Sequence, residues 1–129
     1  MVDYESSGEF RAGISLSWSN MRVYVHKKTL IALGYPGYAR FLFDVEKQKF
    51  CIQACHLGDN GAFPMPLYKA TTGCEINSMP LILLIWEKCK LRPGDTYRFI
   101  GITHKRFRLV EFDVSEGECV FSSLPQIEE

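Results

Sequence analysis

The chain has 129 residues, 47% of them hydrophobic and 13% aromatic, and carries no net charge at pH 7. That is enough apolar surface for one domain, or for two small repeats sharing a core. The longest uncharged apolar run, Met79 to Trp86, is far short of the ~20 residues a membrane helix needs, and the polar, acidic start MVDYESSGEF argues against a secretory signal.

In chain order, residues 1–13 read as a loose leader. Ile14-Ser15-Leu16-Ser17-Trp18 alternates apolar and polar and predicts a strand, with Ser19-Asn20 as the turn of a hairpin. Its partner is Arg22 to His26, where Val23 and Val25 alternate with Arg22, Tyr24 and His26. Leu30-Ile31-Ala32-Leu33 predicts a short helix stopped at Gly34 by a left-handed cap. Tyr35-Pro36-Gly37 is a turn signal, Tyr38 to Phe43 the next strand, and Phe50 to Cys55 its hairpin partner across the polar DVEKQ stretch.

Residues 56–73 carry Gly58, Gly61, Pro64 and Pro66 and read as a long connection. Cys74-Glu75-Ile76 is a short strand candidate. Asn77 or Ser78 then caps a helix whose first turn accommodates Pro80. Leu81 to Cys89 is apolar nearly all round, which predicts a buried helix. Leu91-Arg92-Pro93-Gly94-Asp95 is a stop and turn. Thr96 to Ile102 reads as a strand, Thr103 to Arg106 as a hairpin connection, and Phe107 to Val114 as the returning strand. Residues 115–129 form an acidic tail with one possible strand at Cys119-Val120-Phe121. Trp18 and Trp86 read as core aromatics.

The five cysteines, Cys51, Cys55, Cys74, Cys89 and Cys119, are odd in number and irregularly spaced. This points to reduced thiols in a cytoplasmic protein rather than a disulfide framework. Cys51-x3-Cys55-His56 with Cys74 has a metal-ligand flavour, but no tight C-x2-C pair accompanies it. The preferred reading places Cys51 and Cys55 as small core residues on one strand face, with no metal and no cofactor.

Charge is uneven. From Arg22 to Lys49 six cations face two acids, 6 − 2 = +4, and from Glu87 to Arg108 seven face two, 7 − 2 = +5. The acids gather towards the two ends. A basic body of this kind can steer an anionic partner despite zero net charge.

Two halves follow the same order. Residues 14–55 and 74–114 each run strand, helix, Pro-Gly turn (Pro36-Gly37, Pro93-Gly94), Arg-Phe strand (Arg40-Phe41, Arg98-Phe99) and hairpin. The order resembles the AbrB/SpoVT swapped-hairpin family. Arg22 to Leu30 followed by Leu33-Gly34 is similar to that family's opening motif, and Leu91-Arg92-Pro93-Gly94-Asp95 to its turn before the hairpin. The family usually has Pro where His26 stands and an acid where Tyr38 stands, and the second half has Glu75 and Asn77 in place of a basic strand start.

The resemblance implies a mostly β fold with short helices: one swapped-hairpin β-barrel built from two β-α-β-β repeats in a single domain of residues 1–129. A lone repeat of this size buries too little apolar area, and a second copy supplies the missing face. It also implies a non-enzymatic, transcription-regulator-like protein that grips double-stranded DNA with cations around the first strand and its turn. Carried over, that nominates Arg22, Lys27 and Lys28, with Arg40 behind them. Lys105 and Arg106, beside His104 and Arg108, form a second basic cluster on the predicted hairpin tip. The alternative is a protein-interaction module of the same fold with no DNA binding, as a monomer or homodimer. Nothing in the chain matches the P-loop, G-x-S-x-G, H-E-x-x-H or G-x-G-x-x-G patterns, and Asp59-Asn60-Gly61 after His56 reads as a turn rather than an acid–base pair.

Overall fold

The computed structural model describes residues 11–67 and 72–122. Alternation places the first strands as expected: Gly13–Ser17 (β1) buries Ile14 and Leu16, and Arg22–His26 (β2) buries Val23 and Val25. They pair antiparallel, with Ile14 opposite Val25 and Leu16 opposite Val23. β2 runs directly into the helix Lys27–Leu33 (α1), which buries Thr29, Leu30 and Leu33. Gly34, at φ 79°, ends it, and the N–H groups of Gly34 and Tyr35 turn back to the carbonyls of Ile31 and Leu30. The buried Thr29 hydroxyl accepts from the Gly13 N–H (2.6 Å) and lies 2.7 Å from the Gly13 carbonyl, fastening α1 to β1.

Tyr38–Asp44 (β3) and Lys49–Cys55 (β4) form the expected hairpin, with Phe41 opposite Ile52 and Phe43 opposite Phe50. Phe50 and Ile52 point inward, so Cys51 and Cys55 fall on the opposite face of β4 and are half-buried. The expectation that they are core residues is corrected by that alternation. The connection after β4 is not plain loop, since Phe63–Pro64 (β5) pairs with Tyr38 and Ala39 of β3. At its start the Asp59 carboxylate accepts from the His56 N–H at 2.8 Å, in the turn role expected of it.

Gly73–Asn77 (β6) leads to the helix Met79–Cys89 (α2), where the Ser78 hydroxyl accepts from the Leu81 N–H at 3.2 Å. α2 buries Ile82, Ile85, Trp86 and Cys89 but leaves Met79, Leu83 and Leu84 exposed. The expectation of all-round burial fails because only one side of α2 packs on the core. Trp86 and Trp18 do pack together, ring centres 5.4 Å apart. The predicted strand from Thr96 divides into Asp95–Ile100 (β7) and Ile102–His104 (β8), followed by a 3-10 turn at Lys105–Phe107 and Leu109–Asp113 (β9). Gly101 is the point of division. A Cβ there would stand 2.5 Å from Val110 Cγ1 and 2.8 Å from the Glu111 carbonyl oxygen, so only glycine lets the chain pass this close to β9. After a 3-10 turn at Val114–Glu116, Glu118–Ser122 (β10) forms the strand expected around Cys119–Phe121 and pairs with β7.

The strands make two five-stranded antiparallel sheets, ordered β10-β7-β1-β2-β6 and β5-β3-β4-β9-β8. One apolar cluster fills the space between them, joined by Leu30 and Leu33 of α1 and Ile82 and Ile85 of α2. Phe50 of one sheet meets Phe99 of the other edge-on at 5.2 Å. Strands from the two halves pair with each other in both sheets, β2 with β6 and β4 with β9. Neither sheet closes on itself, where a closed barrel was expected. β5 is only two residues long and its Pro64 has no N–H to offer a further strand. Among the described residues no helix is long and apolar enough to cross a membrane.

Candidate functional site

The six nominated cations fall in three places. Arg22, on the outer face of the first sheet, bonds Glu75 of β6 at 2.7 Å, so an acid stands beside it. Arg40 lies on β3 in the second sheet, where its Nε and Nη2 both donate to Gln53 Oε1 at 3.1 Å. Arg22 stands apart from the other four, whereas Arg40 reaches the Lys105–Phe107 turn through Gln53, whose Nε2 donates to the Phe107 carbonyl at 3.4 Å. Lys27 and Lys28 open α1, and Lys105 and Arg106 sit in the 3-10 turn between β8 and β9. All four are exposed, and none has an ion-pair partner among the described residues.

α1 brings these last two pairs into one neighbourhood. Its first turn is tied through Thr29 to Gly13, and the neighbouring Ala12 carbonyl accepts from the Gly101 N–H at 2.9 Å. Its last turn is held by Arg108, whose Nε donates to the Leu33 carbonyl at 3.0 Å. The helix therefore runs alongside the chain from Gly101 to Arg108. At seven residues it is roughly 10 Å long, about one Debye length at ~0.1 M salt. Cations at its two ends contribute to one field. Arg11 and Arg108, both exposed, adjoin the same strip. The sequence signal for this grouping is weak, because the two clusters are far apart in the chain.

His104, expected in the second basic cluster, belongs to the fold instead. Its Nε2 lies 2.8 Å from Glu111 Oε1, and Lys49 reaches the other carboxylate oxygen at 3.2 Å. The hydrogen bond to His104, with the Lys49 ammonium behind it, holds the Glu111 carboxyl below its ordinary range. His26 is a further residue whose contact sequence reading does not reveal. Its Nε2 lies 2.8 Å from the Ser15 hydroxyl on the outer face of the first sheet. Burial, and secondarily the Arg98 charge, lowers its pKa and keeps the imidazole neutral. Neither Ser15 nor His26 lines a groove of those described below.

Among the described residues, two of the grooves are large enough to matter. The larger, about 610 Å³, separates residues 61–66 from β6 and the start of α2, and is lined by Phe63, Met65, Ile76, Leu81 and Leu84 among others. The smaller, about 360 Å³, lies against β4 beside Leu42, Lys47, Cys51 and Glu111. Among the described residues no three His, Cys, Asp or Glu side chains are grouped to hold a metal. The fold separates the set weighed for that role: Cys74 points inward in the first sheet while Cys51 and Cys55 face outward on the second. Burial pushes the thiols of Cys74 and Cys89 up to about 11 and about 12, far from thiolate chemistry at neutral pH.

Comparisons with protein-family models, with curated proteins and with solved structures find no match to the chain.

Proposed function

We propose that the chain is a small non-enzymatic, transcription-regulator-like protein that grips DNA phosphates with the strip formed by α1 and the β8–β9 turn. The observation that carries this reading is the set of four exposed cations, Lys27, Lys28, Lys105 and Arg106, without acidic partners among the described residues. Phosphate contacts require flexible cations at an open surface, and no particular base needs to be read. Zero net charge is no obstacle, since the field at the strip is local.

The scaffold reading is a tandem swapped-hairpin arrangement of AbrB type, in which the two halves act as the two copies of a pseudo-dimer. Its support is the pairing of like with like. β2 pairs antiparallel with β6 and β4 antiparallel with β9, as an axis between equivalent strands requires. The correspondence extends to these two pairs only, since the two Arg-Phe strands, β3 and β7, lie in different sheets.

Fluorescence titration of a random duplex at two salt concentrations tests the function. Binding is expected to weaken steeply with salt, with a log–log slope near −0.9 per phosphate contact. Replacing Lys27, Lys28, Lys105 and Arg106 by alanine should flatten that slope by roughly 3 to 4, whereas Arg22→Ala, at the cation paired with Glu75, should leave it unchanged. No binding by micromolar protein at ~50 mM salt would remove the proposal.

One observation favours the second reading, a protein-interaction module. The larger groove runs beside β6, the last strand of its sheet, whose outer side has no strand partner among the described residues. An extended apolar peptide could add to that edge. A partner retained by wild type, and lost when Leu84 is changed to Asp in a chain without DNA affinity, would favour it.

A further inference from the structure

We infer that Phe107 is a stacking platform for an unpaired nucleobase, so that the α1 strip engages single-stranded nucleic acid as well as duplex phosphates. The inference rests on the phosphate-binding reading above and adds what the strip does with bases.

Of the phenylalanines whose side chains are described, Phe107 alone is exposed, at 59%, while Phe41, Phe50, Phe99 and Phe112 are buried. It is not exposed for lack of order around it. The 3-10 turn is closed by the Arg108 N–H donating to the Lys105 carbonyl at 3.1 Å. Gln53 Nε2 donates to the Phe107 carbonyl at 3.4 Å, and the Ala54 N–H donates to the Arg108 carbonyl at 2.9 Å. Arg108 itself takes the left-handed conformation, φ 52°, and its side chain clamps α1 at Leu33. The backbone is thus fixed on both sides of Phe107, and the ring is held out from the surface.

Its neighbours along the chain are Lys105, Arg106 and Arg108. The Arg106 guanidinium lies 5.8 Å from the ring centre, over one face. The other face meets no aromatic ring among the described residues. Tyr35, also exposed, follows Gly34, which packs against the Arg108 guanidinium, so a second aromatic borders the same cations. An exposed aromatic on an anchored backbone, flanked by cations, is the pairing that holds single strands: the cations follow the phosphates and the ring stacks on a base of any identity. A duplex hides its base faces and offers this ring nothing beyond its phosphates. Arg40 acquires a role here as a positioning residue, since it holds the Gln53 side chain that bonds the Phe107 carbonyl.

The test is an anisotropy titration of a labelled oligothymidylate and of a duplex of equal length, with wild type, Phe107→Ala and Phe107→Trp. Phe107→Ala should weaken single-strand binding about 5- to 150-fold, the usual worth of one stacked base, and leave duplex binding within about twofold. Phe107→Trp should restore the affinity, with its indole fluorescence quenched on binding. Equal loss on both ligands, or no loss on either, would overturn the inference. Duplex binding by wild type without single-strand binding would also overturn it and leave the phosphate reading standing. Failure of wild type to bind either ligand would remove both.

Discussion

Gly101 shows how one absent side chain decides the course of the chain. An added Cβ would press on Val110, on the Phe112 ring at 2.7 Å and on the Glu111 carbonyl, all parts of a buried or hydrogen-bonded strand that cannot give way. Gly101→Ala should therefore cost about 1–3 kcal/mol, read as a lower midpoint in urea with an unchanged slope. An unchanged midpoint would mean that β9 yields freely there. His26 sets a pH limit of a different kind. Its folded-state pKa is lowered, mainly by burial, so the unfolded chain binds the proton more readily. The stability it contributes is present above its ordinary value of about 6.5 and is lost as pH falls through the lower folded value. Thermal melts across that range should show Tm falling with pH in wild type and falling less in His26→Gln. Identical profiles would show that His26 does not carry the effect.

At the scale of the elements, the α1–turn pairing depends on the Arg108 side chain reaching Leu33. Arg108→Ala removes that charged hydrogen bond from an exposed site and should cost about 1 kcal/mol, with faster amide exchange at the end of α1 and through residues 105–108. If exchange changed uniformly across both sheets, Arg108 would be a general support and not a local clamp. Local elements were legible in the sequence: the alternation in β1 and β2, the Gly34 cap and the Ser78 cap are all set within a few neighbours. What was not legible depends on distant partners. The Arg22–Glu75 bond joins residues 53 apart, and it removes from the site a cation that looked free in the sequence. The splitting of the β7–β8 run and the short β5 likewise follow from which strands lie next to which, as does the pairing of the foreseen strand at Cys119–Phe121 with β7. The exposed side of α2 has the same origin, because an apolar helix buries only what the core has room to cover. Of the candidate site, the sequence marked the cations, and only the fold showed that Arg22 is paired with Glu75 while Arg40 reaches the Phe107 turn through Gln53.

For the molecule as a whole, the interleaving of the halves has a consequence for unfolding. Every sheet contains strands from both, and Phe50, Phe99 and Phe112 bridge them in one cluster. Unfolding should be a single transition, with the fluorescence of Trp18 and Trp86 and the far-UV signal coinciding. Phe112→Ala should lower the whole transition by about 3–5 kcal/mol. Two separated transitions would show that the halves are independent layers. The same interleaving is what lays a helix of the first half beside a turn of the second, and so assembles a basic strip from two distant stretches of chain. That strip is best tested by amide chemical-shift mapping of the full chain titrated with a short duplex at low salt. The account predicts shifts concentrated at residues 27–34 and 101–108, reversed by added salt. Shifts confined to β6 and residues 61–66, or no shifts at all, would contradict it.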